Sequence, residues 1–528
     1  MQMKVARLLV YCLREEGVTR IYGIPGEENL DIMDEIDSAG IEFVLTRHEQ
    51  AAAFMAATEG RLTGRPGVCL STLGPGATNL VTGVADAYLS NVPMIALVGQ
   101  AGAERRDPPQ KQVLDLLAMF GPLTKEAIDV NGPGLVRKAM KDAFRVAMEE
   151  RSGPVMVQLP EDVMKMRPDV QVQSDERTYE PNIIDDTKIN VLRHLILASD
   201  RPMAIIGHGV LRGKATDEAR SFCRAWNIPT GCTWMAAGTM PFDDPLSLGT
   251  IGMRNSDLVK SAYEVADLIV LIGYDVTEFQ PKFWNKGCAK KVVFLGEGQP
   301  GTAKELKVDA AAIGPLTTTL GPLSANAIPK KGWAMDHRNA LIDELARPAA
   351  GPRGVVQALR RQLRHDDILV SDVGAHLIWL AKYYPSYKEN TLLLQNGLIS
   401  MGVAVPSALA ARKVHPEKKV VAVVGDGGFL MSSSELETAK RSGVNFITVI
   451  FNDGGLGLIR EKMRRGYGRA SNVDLTSPDI PGFARSFGAE GYSVEEKEFE
   501  RVLHDCLARD ALAVIDVRVD YSEIERLF

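Results

Sequence analysis

Short β-branched runs alternate with helical patterns along the whole chain, and no other feature narrows the fold so far. "EFVLT" (42–46), "VMVQL" (155–159), "MAIIG" (203–207), "LIVLIG" (268–273), "VVFLG" (292–296), "VVAVVG" (420–425) and "FITVIF" (446–451) are apolar runs of strand length. Strands of this kind are buried on both faces, and helices between them make the sheets mainly parallel. The prediction is an α/β protein whose parallel sheets are flanked by helices. Two stretches punctuate it. "MKMRPDVQVQSDERTYEPN" (164–182) is polar and carries prolines. "SANAIPKKGWAMDHRNALIDELARPAAGPRG" (324–354) has proline and glycine at both ends around a helical pattern. Three domains are expected, over residues 1–165, 183–330 and 350–528. The 528 residues hold ample material for more than one core, and the first and last domains look like similar layers.

The formal net charge of −6 leaves no basic footprint, so nucleic acid is not an expected partner. Cysteines 12, 69, 223, 232, 288 and 506 are scattered, form no C-x-x-C pair and sit in or beside apolar stretches. That favours buried reduced thiols over disulfides or metal ligands. The opening "MQMKVARLLVYCLREEGV" suits an amphipathic helix better than a signal peptide, because acids follow its short apolar run. No apolar run approaches the ~18 residues needed to cross a membrane. A cytoplasmic protein with no membrane partner is expected.

The chemistry begins at "VVGDGGFLMSSSELETAKRSGVNFITVIFNDGG" (423–455). Gly425, Asp426 and Gly427 follow one apolar strand. Asn452, Asp453, Gly454 and Gly455 follow the next, and a helix with serine-glutamate cap signals (Ser432 with Glu435, or Ser434 with Glu437) joins them. Gly443 is the expected stop. Strands joined by one crossover helix can be neighbours, which places both acids at one edge of the sheet, where open α/β sheets bind ligands. Two carboxylates held together repel unless a cation lies between them. All-oxygen ligands suit Mg²⁺, which completes its octahedron with phosphate, carbonyl and water oxygens. The bland reading is a pair of turn aspartates.

This stretch resembles the cofactor motif of the thiamine diphosphate-dependent enzymes, a GDG followed some two dozen residues later by an asparagine pair. Here 24 residues (428–451) separate Gly427 from Asn452, and Asp453 stands at the second asparagine position. The resemblance implies that Asp426, Asp453 and the Gly455 carbonyl bind Mg²⁺, and that Gly425, Gly427 and Gly428 lie against the cofactor. It also changes the reading of "RHEQAAAFMAATEG". Taken alone, Thr46-x-x-Glu49 is a capping box. In the family a glutamate in this context bonds the aminopyrimidine ring nitrogen and drives proton transfer within the bent cofactor. That role needs a carboxyl in a dry pocket. Pro25, Gly26 and Asn79 are implied near the pyrimidine or reaction centre, and Met401 is the apolar residue beneath the bend. Gly374, Ala375 and His376 form the strand-to-helix turn whose amides can meet the diphosphate.

The likeness spans essentially the whole chain and is nearest to flavin-free, catabolic acetolactate synthases. "GVTRIYGIPG", "GRLTGRPGVCL", "IGYDVTEFQPKFWN" and the terminal "VDYSE" also carry it. It aligns Gln112 with a catalytic-side glutamine, Phe120 with an apolar residue near the substrate, and Leu456 with the acceptor pocket. The implied reaction decarboxylates pyruvate and joins the two-carbon unit to a second pyruvate, giving 2-acetolactate. FAD is not expected, because "MAIIGHGVLRGKA" is not G-x-G-x-x-G. Departures at Gly454–Leu458 and at Lys111 fall near the expected acceptor pocket. They keep open another thiamine diphosphate lyase, either a 2-oxo acid decarboxylase or a carboligase with a different acceptor. A cofactor-binding sensor without turnover is a further alternative. Glu49 and the metal acids lie on different domains, so a homodimer or homotetramer with sites between subunits is implied.

Overall fold

The structure, a computed structural model, describes residues 3–106, 110–168, 186–253, 256–521 and 524. Each quoted apolar run is a strand, and the flanking segments fold into helices that cover both sheet faces. Among the described residues there are three parallel sheets of six strands. The first holds β1 (Arg20–Gly23), β2 (Glu42–Leu45), β3 (Gly67–Ser71), β4 (Met94–Gln100), β5 (Glu126–Asp129) and β6 (Pro154–Pro160). The second holds β7 (Pro202–Ile206), β8 (Thr230–Cys232), β9 (Ser247–Thr250), β10 (Leu268–Ile272), β11 (Lys291–Gly296) and β12 (Ala310–Ile313). The third holds β13 (Ile368–Ser371), β14 (Leu392–Leu393), β15 (Val420–Gly425), β16 (Ile447–Asn452), β17 (Glu490–Val494) and β18 (Ala513–Arg518). Central strands such as β4 and β10 are buried at every residue, as strands covered on both faces must be.

The first and third sheets have one order, β2-β1-β3-β4-β6-β5 and β14-β13-β15-β16-β18-β17. The middle sheet is different. Its order β12-β11-β10-β7-β8-β9 is the doubly wound dinucleotide arrangement, with its switch point between β7 and β10. Helices Glu49–Thr63 and Ala404–Val414 pack against each other, and the Thr58 hydroxyl donates to Ser407 Oγ at 2.8 Å. Their alanine-rich faces merge the first and third domains into one apolar core.

The opening helix is Val5–Glu15. Of the first predicted linker, residues 169–182 lie outside the described residues, while the second holds the helix Met335–Ala346. All six cysteines are free, five of them buried and Cys288 half-buried. No described helix is long and apolar enough to cross a membrane.

Two predicted caps are not formed. Thr46 donates its hydroxyl to the His48 carbonyl, and His48 itself caps helix Glu49–Thr63 by accepting from the Gln50 amide. The segment after Asp426 is two helices, Asp426–Ser432 and Glu435–Arg441, and Ser434 precedes the second without a side-chain cap. The glutamates involved have other partners: Glu49 accepts from Asn79, Glu435 from the Arg47 amide and Glu437 from Arg441.

Candidate active site

β15 and β16 are parallel neighbours with Gly425 paired to Phe451. Asp426 starts the helix that follows β15, and Asp453 opens the turn that follows β16. Asp426 is buried, and its Oδ2 has no hydrogen-bond partner. Burial raises its carboxyl above the usual range, with its own turn amides opposing. Asp453 is pushed up to about 6, first by burial and then by Asp426, with Arg460 offsetting both. The acids therefore face each other in a poorly solvated place. Arg460 Nη1 lies 2.9 Å from Asp453 Oδ2, and Nη2 lies 3.2 Å from the Gly454 carbonyl. Asn452 is used by the turn itself, donating to Asp516 at 2.9 Å and accepting from the Gly454 amide at 3.1 Å. Gly454 has a φ of +67°, which lets the chain double back so that Gly455 bridges to Asp474.

The other residues predicted for the third domain converge here. A Cβ on Gly427 would meet Leu475 at 3.0 Å, Leu456 at 3.5 Å and Met401 at 3.6 Å, so glycine keeps this floor low. Gly374 precedes helix Ala375–Tyr383, and the His376 ring lies against Gly374 and Gly425. His376 is buried, its Nε2 is unpartnered, and burial lowers it to about 4, so it is neutral. Gly428 rests on Asp372, a residue sequence reasoning passed over. Asp372 is fully buried and accepts from the amides of Val373 (2.8 Å), Gly402 (3.0 Å) and Ala404 (3.0 Å). It ties the Met401 loop to the tip of β13. The available signal was its place directly after a strand and two residues before Gly374.

In the first domain Glu49 is 8% exposed, and its Oε2 accepts from Asn79 Nδ2 at 2.9 Å. Asn79 comes from helix Pro75–Leu89, which follows β3. A Cβ on Gly76 would lie 2.9 Å from Thr72 and 3.3 Å from Glu49, and Gly26 packs on the other side of Thr72. Pro25, Gly26, Glu49 and Asn79 are thus one cluster at the tips of β1, β2 and β3, with Pro25 exposed. Gln112 is exposed at a φ of +69°, and its backbone touches Gly74. The helix expected near it is only Leu116–Phe120, because Asp115 caps the Ala118 amide and starts it late. Phe120 is fully buried in the core.

The switch point of the middle sheet is filled by the chain itself. Glu278 accepts from the His208 amide with both oxygens, at 3.1 and 3.0 Å, and from the Thr233 hydroxyl. From the first domain Glu150 accepts from Arg212 Nε at 3.0 Å, and Arg151 pairs with buried Asp275 at 2.9 Å. These contacts occupy the tips of β7 and β10, where a dinucleotide phosphate would meet backbone amides.

Comparison with known proteins agrees with this layout. Residues 3–119 match the N-terminal TPP binding domain of thiamine pyrophosphate enzymes, residues 189–323 their central domain and residues 372–517 their C-terminal TPP binding domain. The chain is 33% identical to acetolactate synthase of Bacillus subtilis, covering 98% of this chain and 93% of that protein. It is 32% identical to catabolic acetolactate synthase of Raoultella terrigena, over 98% and 95%. It is 30% identical to a probable acetolactate synthase large subunit of Methanocaldococcus jannaschii, over 99% and 93%.

Proposed function

The chain belongs to the thiamine pyrophosphate enzymes and is a thiamine diphosphate-dependent enzyme of the acetolactate synthase type, and from that premise we propose that it decarboxylates pyruvate and joins the two-carbon unit to a second pyruvate, giving 2-acetolactate. The observation that carries the reading is the pair of buried carboxylates at neighbouring strand tips, one with an unpartnered oxygen. Such a pair fits a hard divalent cation. No cluster of three or more His, Cys, Asp or Glu is found among the described residues, so Mg²⁺ would take Asp426, Asp453 and the Gly455 carbonyl and fill its remaining positions with phosphate and water oxygens. A cation held by Asp453 Oδ2 would take the place that Arg460 Nη1 now has at that oxygen.

When bound, thiamine diphosphate supplies the carbon nucleophile and the electron sink. The chain supplies position and proton control. Gly374, Ala375 and His376 offer a helix N-terminus to the diphosphate, with Gly425, Gly427 and Gly428 leaving room for it. Met401 and Leu456 make an apolar floor. Glu49, sheltered from water and oriented by Asn79, holds a proton at the pyrimidine ring, with Pro25 and Gly26 beside it. Gln112 is assigned to the cofactor side and Phe120 to the substrate side, where its full burial in the core makes it a wall behind the pocket lining. A larger 2-oxo acid or an aldehyde is the alternative acceptor; open space adjoins Gly454 alone, since a Cβ on Gly455 would collide with Arg460 and one on Gly457 with Asp453.

We assign no FAD to the central domain, a reading supported by Glu278, Glu150 and Arg151 standing in its crevice. Glu49 lies in the first domain and Asp426 and Asp453 in the third, and that division supports a site built between subunits of a cytoplasmic homodimer or homotetramer. Leu430, Met431, Ile459 and Leu475, exposed on elements around the aspartates, give a partner something apolar to cover. Mixing Glu49→Gln with Asp426→Ala subunits should restore about a quarter of wild-type activity, since half the random dimers then carry one intact site. The deciding experiment incubates purified protein with pyruvate, Mg²⁺ and thiamine diphosphate, with and without FAD, and identifies the product. Acetaldehyde or a mixed acyloin in place of acetolactate overturns the named reaction, and dependence on FAD overturns the closed crevice.

A further inference from the structure

Helix Glu435–Arg441 begins nine residues after Asp426, yet three of its side chains reach the first domain. They all grip one short segment, the turn Leu45–His48 that leads directly into Glu49. Glu435 is fully buried, and its Oε1 accepts from the Arg47 amide at 2.9 Å. The Thr438 hydroxyl donates to the other oxygen at 2.7 Å, which fixes the rotation of the carboxyl group. Glu437 lies 3.8 Å from the Arg47 guanidinium, and Arg441 donates to the Leu45 carbonyl.

Amides at a helix start have no partner inside their own helix. Here the Gln50 amide is met by His48, and the Arg47 amide, just ahead of the helix, is met by an acid from another domain. A carboxyl in this position also suits the positive end of a fifteen-residue helix. The cost is desolvation, which pushes Glu435 up to about 7. A surface salt bridge would not justify burying an acid; a need for fixed geometry would.

We propose that Glu435 is a positioning residue for Glu49: by holding the Arg47 amide it sets the direction in which the Glu49 carboxyl leaves its helix. This rests on the proposed role of Glu49. Glu435 touches neither substrate nor cofactor and acts only through the turn. The consequence is that one segment, 426–441, carries a metal ligand at one end and the orientation of the pyrimidine-side acid at the other.

The test uses the full enzyme and three variants, Glu435→Ala, Glu435→Gln and Glu49→Gln, with pyruvate consumption and thiamine diphosphate affinity as readouts. Displacing Glu49 should lower kcat about tenfold or more in Glu435→Ala, since small misplacements of a catalytic group are costly. KM for pyruvate and the cofactor Kd should move less than threefold. Glu435→Gln, which keeps an acceptor oxygen for Arg47, should recover most of the loss. Wild-type kcat in Glu435→Ala, beside an inactive Glu49→Gln, overturns the positioning role alone. Normal turnover in Glu49→Gln overturns the reading it rests on as well. If Glu435→Ala does not fold, Thr438→Val removes only the hydroxyl that orients the carboxyl. It should show the same kcat-only loss, smaller in size, and an unchanged kcat there overturns the proposal.

Discussion

The first and third sheets have the same strand order and balance their buried acids in opposite ways. The loop after the second strand of each leads to a central helix, and the two helices pack together through Thr58 and Ser407. In the first domain that tip carries an acid, Glu49; in the third it carries an apolar residue, Met401. After the third strand the roles reverse. Helix Pro75–Leu89 offers the neutral donor Asn79, whereas β15 leads into Asp426 with Asp453 beside it. Topology fixes where a site forms, and charge decides what it holds. A single carboxyl with an amide donor is stable as it stands and can share a proton. Two buried carboxylates are not, and Arg460 now supplies the missing positive charge.

The largest effect should come from the third sheet. Asp426→Ala removes half of the acidic pair and should lower Mg²⁺ affinity about 100-fold or more, a floor set by what even outer-shell losses cost. Calorimetric titration of Mg²⁺ and thiamine diphosphate checks it, and wild-type binding would sink the metal assignment. Glu49→Gln should behave differently. Cofactor affinity should shift less than tenfold while turnover falls about 100- to 10,000-fold, the range of acid–base contributions. If both variants lose cofactor binding alike, the division between a binding domain and a chemistry domain is wrong.

How much of this was legible in the sequence depended on whether a signal was local. The strands were legible because runs such as "VVAVV" are apolar over a full strand length, and the acid pair because its spacing matches one crossover helix. The caps at Thr46 and Ser432 were misread because the partners of their glutamates are decided by tertiary contacts: Asn79 takes Glu49, and the Arg47 amide takes Glu435. Arg460 was missed for the same reason. Nothing in "GLIREKMRRGY" says which of its basic residues folds back onto Asp453. Asp372 did have a local signal, an acid at a strand tip, but its function of collecting three loop amides needs the Met401 loop to be in place.

The middle sheet gives the smallest and sharpest extension of the comparison. There a buried acid meets a backbone amide and a hydroxyl, where Glu49 meets the side-chain amide of Asn79. Glu278 sits on the His208 amide and the Thr233 hydroxyl, with Arg212 nearby and Asp275 opposing. Burial is the leading cause that raises it from 4.5 to about 7. The native state therefore keeps this proton over a pH range in which the unfolded chain has released it. Stability should fall as pH rises from about 4.5 to about 7, by roughly 3 kcal/mol in all, and be flat above that. Glu278→Gln cannot lose a proton and should lack this slope. The thermal midpoint of the variant, measured against wild type, should climb with pH between 5 and 7 and level off by 8. Parallel curves would mean that the carboxyl is solvated in the native protein. In that case the crevice is open, and the third way of holding a buried acid, by backbone and hydroxyl donors alone, is not realised in this fold.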